Sequence, residues 1–337
     1  MTATRPLAEL RRADEDRFGA KSASLGELIA GEIPVPPGFA VSSEAYLTAV
    51  EGVELEGRSA EECSSAIRGT EVPDGLRTEI AEAYEALGRT AGDPRPAVAV
   101  RSSAIGEDSE EATFAGQQET YLWVRGADQV CDAVRDCWAS LFSPEAVSYR
   151  AEMAAEHAEP AMGVTVQLMV DAAVSGVMFT CNPVSGDPST VAVNASWGLG
   201  LAVVGGEVTP DEYRVSKVTR EVISRSIGPK EIEYVPDPSG SGAALTEVPA
   251  ERRDVACLDG EQLGALVDVA RTVEGHFGGH QDIEWAIARS DEPDRRGDLF
   301  MLQSRPVTVK PAKPESAAGK SAMDLVMGTF GASTKRS

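Results

Sequence analysis

Residues 101–124 read RSSAIGEDSEEATFAGQQETYLWV. An arginine and two serines follow directly on the apolar run AVAV. A short acidic tract comes next, then Phe114-Ala115-Gly116, then the strand-like TYLWV. Packing alone gives no reason to gather an arginine, small hydroxyls and a lone glycine around one turn. PAVAVRSS reads as a short buried strand, and QQETYLWV alternates as a second one.

Before this turn, AKSASLGELIAGEI has apolar positions at helical spacing and stops at Gly31 and the PVPPG turn. GFAVSSEAYLTAV predicts a strand and then a helix capped by Ser42 or Ser43. Residues 59–90 predict two helices broken near Pro73, and helical patterns return over 127–157. From MGVTVQLMVDAAVSGVMFTCNP onward the pattern turns to strands, through TVAVNASWG and EYRVSKVTREVISRSI. PDPSGSGAA (236–244) is a loop. A helix near 260–276 precedes two last strands, QDIEWAIA and DLFMLQSRPVTV. Residues 310–337, rich in Pro, Lys, Ala and Ser, read as a flexible tail.

The chain has 337 residues, 54 acidic and 31 basic, for a net charge of −23. That length provides ample core. So acidic a surface argues against nucleic acid and anionic membrane as partners. Five cysteines without a CxxC pair make neither a zinc site nor a disulfide framework. The N-terminus carries charges where a secretory signal needs an apolar core. No apolar run nears the about 18 residues of a membrane span. A cytoplasmic protein is expected.

Familiar phosphate motifs fail. AAGKS lacks a P-loop's first glycine, because Pro314 stands there, and GLGLAVVGG has Val203 at the third glycine of a dinucleotide fingerprint. What remains is dispersed: Lys21 before a helix, Arg101 after a strand, the Gly116 turn, Glu284 on one strand, and Gln303 and Arg305 on the next. Triphosphate chemistry needs such a set. Cations neutralise a polyanion, and arginine's fork suits phosphate oxygens. A turn of small residues lets backbone N–H groups approach, and oxygen ligands hold magnesium.

At these residues the chain resembles a known family. FGAKSASLGEL, VRSSAIGED, TFAGQQETYL, VQLMV, SGVMFTCNPVSGD, NASWGLGLAVVGGEVTPDEY, QDIEWAI and LQSRPVT are similar, in order, to the ATP-grasp nucleotide-binding domain of the phosphoenolpyruvate synthase and pyruvate phosphate dikinase family, shared with rifampin phosphotransferases. The resemblance spans roughly residues 8–309.

It implies an α/β (α+β in detail) two-lobed ATP-grasp fold. One lobe would occupy 1–170, with a phosphate-covering loop, and the other 171–309, with magnesium-binding strands; the tail is 310–337. Lys21 and Arg101 would bind the phosphates of ATP, and Gly116 with Thr120 would belong to the covering loop. Gln167 would take a nucleotide-binding position, with Met169 and Val170 lining the adenine pocket. Glu284 and Gln303 would hold Mg2+, and Arg305 would grip the phosphates during transfer. Lys21, Arg101 and Arg305 are thus the expected catalytic residues. After GLG this chain has Leu201, where members of the family often carry an acid.

In the family's chemistry ATP pyrophosphorylates a histidine, AMP leaves, phosphate is released and a phosphohistidine remains. None of His157, His276 and His280 has the Gly/Thr/Ser-His setting of that histidine. The resemblance therefore implies the ATP-binding subunit of a split phosphotransferase. Its partner would be a separate swivelling-domain protein, with an acceptor-binding subunit and a small-molecule acceptor beyond it. A self-contained ATP-grasp kinase or ligase, and a silent nucleotide-binding regulator, are the competing expectations.

Overall fold

The computed structural model describes residues 2–104, 119–144, 146–147, 161–240, 242–290 and 297–307. The Gly116 turn, the acidic tract before it, His157 and the tail lie outside the described residues. The chain mixes helix and sheet, as expected, and divides into two compact units. The first holds Met1–Glu27, Pro36–Met169 and Asp237–Gly242; the second holds Leu28–Val35, Val170–Pro236 and Ala243–Ser337.

The first unit is built on strands β1 (Thr4–Pro6), β2 (Gly38–Val41), β3 (Val98–Ala104), β4 (Thr120–Val124) and β5 (Met162–Leu168). They form an antiparallel sheet in the order β1-β2-β5-β3-β4. Alternation sorts its side chains by face. Val98, Val100, Val164 and Val166 join Phe39, Val41 and the helical residues Ile67, Ile80, Tyr84, Val134 and Trp138 in one buried core. The helices over that face are Ser43–Ala49, Ala60–Arg68, Asp74–Ala91 and Ala127–Ala139. The expected break at Pro73 is the N-cap of the third of them. The second starts in a capping box, with the Ser59 N–H donating to Glu62 Oε2 at 2.8 Å and the Glu62 N–H to Ser59 Oγ at 3.3 Å.

The other face of this sheet is polar and receives the start of the Ala20–Ala30 helix. The Ser103 hydroxyl accepts the Lys21 N–H at 3.1 Å, and the Ser22 and Thr165 hydroxyls meet at 2.6 Å. So close an approach needs bare backbone. A Cβ on Gly163 would overlap the Phe18 carbonyl oxygen, and one on Gly19, at φ 81°, would overlap the Ser103 carbonyl oxygen.

The second unit carries β6 (Ala172–Phe179), β7 (Thr190–Trp197), β8 (Asp211–Ser216), β9 (Val222–Ser226), the hairpin β10 (Ile232–Pro236) and β11 (Ala243–Glu247), then β12 (Gln281–Ala288) and β13 (Leu299–Pro306). Six of them form one antiparallel sheet, β13-β12-β6-β7-β8-β9. Val177, Phe179 and Ala192 pack with Ala202, Val203 and Val208 on one face. The other face presents Ile283, Trp285, Met178 and Val193, all essentially buried, as are Leu266, Val267 and Ala270 of the Gly260–Phe277 helix.

In the quoted motif TPDEY, Asp211 proves structural. It is fully buried in an ion pair with Lys230 and accepts from the Tyr213 hydroxyl at 3.1 Å, the Gly228 N–H at 3.1 Å and the Cys257 N–H at 2.8 Å. A buried charge this fully paired and hydrogen-bonded pins its loops, and removing either partner strands the other. No described helix is long and apolar enough to cross a membrane.

The glycine contacts make a prediction. Gly163→Ala overpacks the seam between the sheet and residue Phe18 and is expected to cost about 1–3 kcal/mol in urea unfolding. Gly264→Ala, in a helix with nothing within 4 Å of the added methyl, is expected to stabilise by up to about 1 kcal/mol. Equal stabilities for both variants would contradict the seam.

Candidate active site

The first unit gathers Lys21, Arg101, Thr120 and Gln167 on the polar face of its sheet. Register fixes this. Arg101 stands opposite Thr120 on β4 and opposite Thr165 on β5, and Ala99 stands opposite Gln167. Directly opposed residues share a face, so Arg101, Thr120, Thr165 and Gln167 all project away from the helical core. Lys21 joins them from the helix start. It is largely buried, at 8% exposure, and its Nζ donates to the Ser102 carbonyl at 2.9 Å. Two bonds to consecutive serines, one from its backbone and one from its ammonium, thus fasten Lys21 to the residues that follow Arg101.

Gln167 sits deeper than expected for a residue in direct contact with a nucleotide. It is 1% exposed, and its amide donates to the Pro36 carbonyl at 3.3 Å. Here it ties β5 to the PVPPG turn. Beyond it, the Met169 N–H donates to the Ala97 carbonyl at 2.9 Å. Met169 ends the first unit, and Val170 begins the second.

The second unit sets Glu284, Gln303 and Arg305 on two neighbouring strands. Glu284 is opposite Gln303, and Asp282 is opposite Arg305. A bulge follows immediately, between Glu284 and Trp285. Positions two apart on a strand share a face, so the four side chains form a square of two carboxylates, an amide and a guanidinium. Arg305 Nε donates to Asp282 Oδ2 at 3.2 Å. The other Asp282 oxygen is buried without a hydrogen-bond partner among the described residues. Burial pushes the Asp282 carboxyl up to about 6; Arg305 opposes that rise and Glu284 adds to it. Asp282 is the residue that the motif reading missed. Its spacing from Glu284 in QDIEWAI was the available signal.

The donor set fits magnesium. It is oxygen-only and small: one half-exposed carboxylate, one amide oxygen and a buried carboxylate behind them. Mg2+ is ordinarily bound through one or two carboxylates together with substrate phosphates, not in an all-protein cage. In keeping with that, no group of three or more His, Cys, Asp or Glu poised to hold a metal occurs among the described residues. The two described histidines are placed elsewhere. His280 precedes β12 and contacts Glu274 at 2.9 Å, and His276 meets the Phe277 ring edge-on.

The raised Asp282 pKa has a sign that can be measured. The fold favours the neutral acid, so this group's contribution to stability is fully present below about pH 4 and is lost as pH rises through about 6. Asp282→Asn removes that dependence. Its melting temperature relative to the parent chain is expected to shift upward between pH 4 and pH 7. A constant difference across that range would contradict the assignment.

Residues 15–324 match the family model of the pyruvate phosphate dikinase AMP/ATP-binding domain. A probable phosphoenolpyruvate synthase of Methanothermobacter thermautotrophicus is 40% identical over 338 residues, covering 95% of this chain and 48% of that protein. The phosphoenolpyruvate synthase of Aeropyrum pernix is 40% identical over 344 residues, covering 90% and 42%. That of Pyrococcus furiosus is 36% identical over 382 residues, covering 96% and 46%. The chain spans about half the length of the curated relatives it matches. It belongs to the family of the pyruvate phosphate dikinase AMP/ATP-binding domain.

Proposed function

We propose that this chain uses MgATP to phosphorylate a histidine carried outside its 337 residues, as the ATP-binding component of a dikinase-type phosphotransferase of the phosphoenolpyruvate synthase kind. The observation that carries this reading is the square on β12 and β13, where oxygen ligands for a cation adjoin a guanidinium for an oxyanion. Neither half is useful alone. A cation held by so few protein oxygens needs a phosphate to complete its shell, and arginine's fork suits the oxygens of that same phosphate.

The roles follow from chemistry. Magnesium, when held by Glu284 and Gln303, neutralises charge on the phosphate oxygens. Arg305 supplies a rigid fork for the transferring group, kept in orientation by its bond to Asp282. Arg101, Thr120 and Lys21 bind phosphate oxygens from the polar face of the first sheet. Gln167, with its amide on Pro36, holds the strand end that leads into Met169 and Val170, the residues assigned to adenine. Positioning and charge neutralisation of this kind make up most of phosphoryl-transfer catalysis.

In the step itself the histidine nitrogen forms a bond to the β-phosphorus as the bond to the α-phosphate oxygen breaks, and AMP leaves. Water then takes the γ-phosphoryl group as phosphate, leaving phosphohistidine. The nucleophile is a histidine of the swivelling-domain kind, and a small molecule receives the phosphoryl group afterwards. The lack of the family's histidine setting at His157, His276 and His280 supports a nucleophile outside these residues.

The test is ATP labelled in the β-phosphate, incubated with this chain, with a swivelling-domain protein bearing the family histidine, and with both. AMP and acid-labile label on the second protein are expected only in the mixture. ADP as the main product, or stable label on this chain alone, would overturn the proposal.

A further inference from the structure

Strand β4 is not regular. It pairs with β3 as Arg101–Thr120 and Val100–Tyr121 at one end but as Val98–Val124 at the other. One residue, Ala99, separates Val98 from Val100. Two residues, Leu122 and Trp123, separate Tyr121 from Val124. The surplus residue is a β-bulge, and Trp123 within it has a φ of 58°. That is the left-handed region, where bulges of this kind ordinarily place glycine and where a bulky side chain is costly. The ring is nonetheless packed away, at 7% exposure.

The consequence is one of parity. Continued without a bulge from Val98–Val124, the register would set Tyr121 opposite Arg101 and Leu122 opposite Val100. Tyr121 would then stand on the polar face, and Thr120 would turn toward the helical core. The bulge reverses this. Thr120, exposed, shares the face of Arg101, while Tyr121 packs against the core cluster that contains Val100 and Val166. Burial raises the pKa of the Tyr121 phenol well above the ordinary tyrosine value, as a ring on the apolar side requires.

We infer that Trp123 is a positioning residue for phosphate binding: the bulge it carries decides that a hydroxyl, and not a phenol ring, stands beside Arg101. The inference rests on the proposed role of Arg101 and Thr120. A threonine hydroxyl next to a guanidinium adds a second donor for one phosphate group. A tyrosine ring at the same place would fill the space that the phosphate needs.

Two substitutions separate backbone from ring, because both delete the ring. Trp123→Gly keeps positive φ accessible; Trp123→Ile, β-branched, excludes it. In the glycine variant the MgATP dissociation constant is expected within about threefold of the parent chain, with Tyr121 still silent at about pH 10, where an ordinary tyrosine ionises. In the isoleucine variant the start of β4 is expected to slip by one residue. Tyr121 then ionises near the ordinary tyrosine pH, as a Tyr121→Phe background identifies, and the dissociation constant rises about tenfold or more, the loss of a hydrogen bond to a charged group.

An isoleucine variant that keeps both the silent Tyr121 and the parent affinity would overturn the inference. Slippage without loss of affinity would overturn the positioning role while leaving the nucleotide reading intact. A parent chain that binds no MgATP would instead overturn the nucleotide reading, with the register of β4 still reported by Tyr121. Should the isoleucine variant fail to fold, Thr120→Val and Tyr121→Phe decide. The former should weaken MgATP binding and the latter should not, and the opposite order would overturn the inference.

Discussion

The contact between the first turn of the Ala20–Ala30 helix and the polar face of the first sheet is the constraint on which the first unit's chemistry depends. Sheet faces usually bury apolar residues, yet this one buries Ser103, Thr165 and Gln167. Buried polar groups are tolerable only when they are paired. The helix supplies partners for Ser103 and Thr165 through the Lys21 and Ser22 N–H groups and the Ser22 hydroxyl, while Gln167 bonds the Pro36 carbonyl. Two glycines, Gly19 and Gly163, let it come close enough to do so. The same contact fastens Lys21 to the serines following Arg101. Two cationic side chains are thereby held near one strand end in a chain whose net charge is −23.

The second unit solves a different problem with the same tool of cross-strand register. Asp282, Glu284, Gln303 and Arg305 come from segments about twenty residues apart in sequence, and antiparallel pairing sets them in one square. Burial raises the cost of ionising Asp282, and the Glu284 carboxylate on the same face adds to that cost. Arg305 offsets part of it. A bound cation would offset the rest, so a site that is electrostatically awkward when empty becomes favourable when filled. The bulge just after Glu284 shifts the register by one residue at the edge of this square, and pairing resumes at Trp285 opposite Met301.

Much of this was legible in the sequence. PAVAVRSS, MGVTVQL and QDIEWAIA read as strands and form strands, and Pro73 and Gly31 marked helix ends where they fall. The candidate site residues were named by motif, and register sets them on one sheet face within each unit. Three features were not legible. The hairpin β10–β11 is short and mostly solvent-facing, so IEYVP and AALTE carry little periodic signal. The bulge at Trp123 is hidden because Tyr, Leu, Trp and Val all favour extended chain, and tertiary demand, not propensity, sets the irregularity. Gln167 reads as a nucleotide contact, but its amide is spent on Pro36, a bond between residues distant in sequence that no local pattern announces.

The central claim is that Glu284 and Gln303 hold the magnesium of a bound nucleotide, and calorimetric titration with ATP tests it most directly. In the parent chain, magnesium should strengthen ATP binding by about tenfold or more, since a divalent ion bridging carboxylate and phosphate removes their mutual repulsion. In Glu284→Gln that gain should fall to about twofold or less, with metal-free ATP affinity unchanged or slightly improved by the lost negative charge. An undiminished magnesium gain in Glu284→Gln would contradict the account.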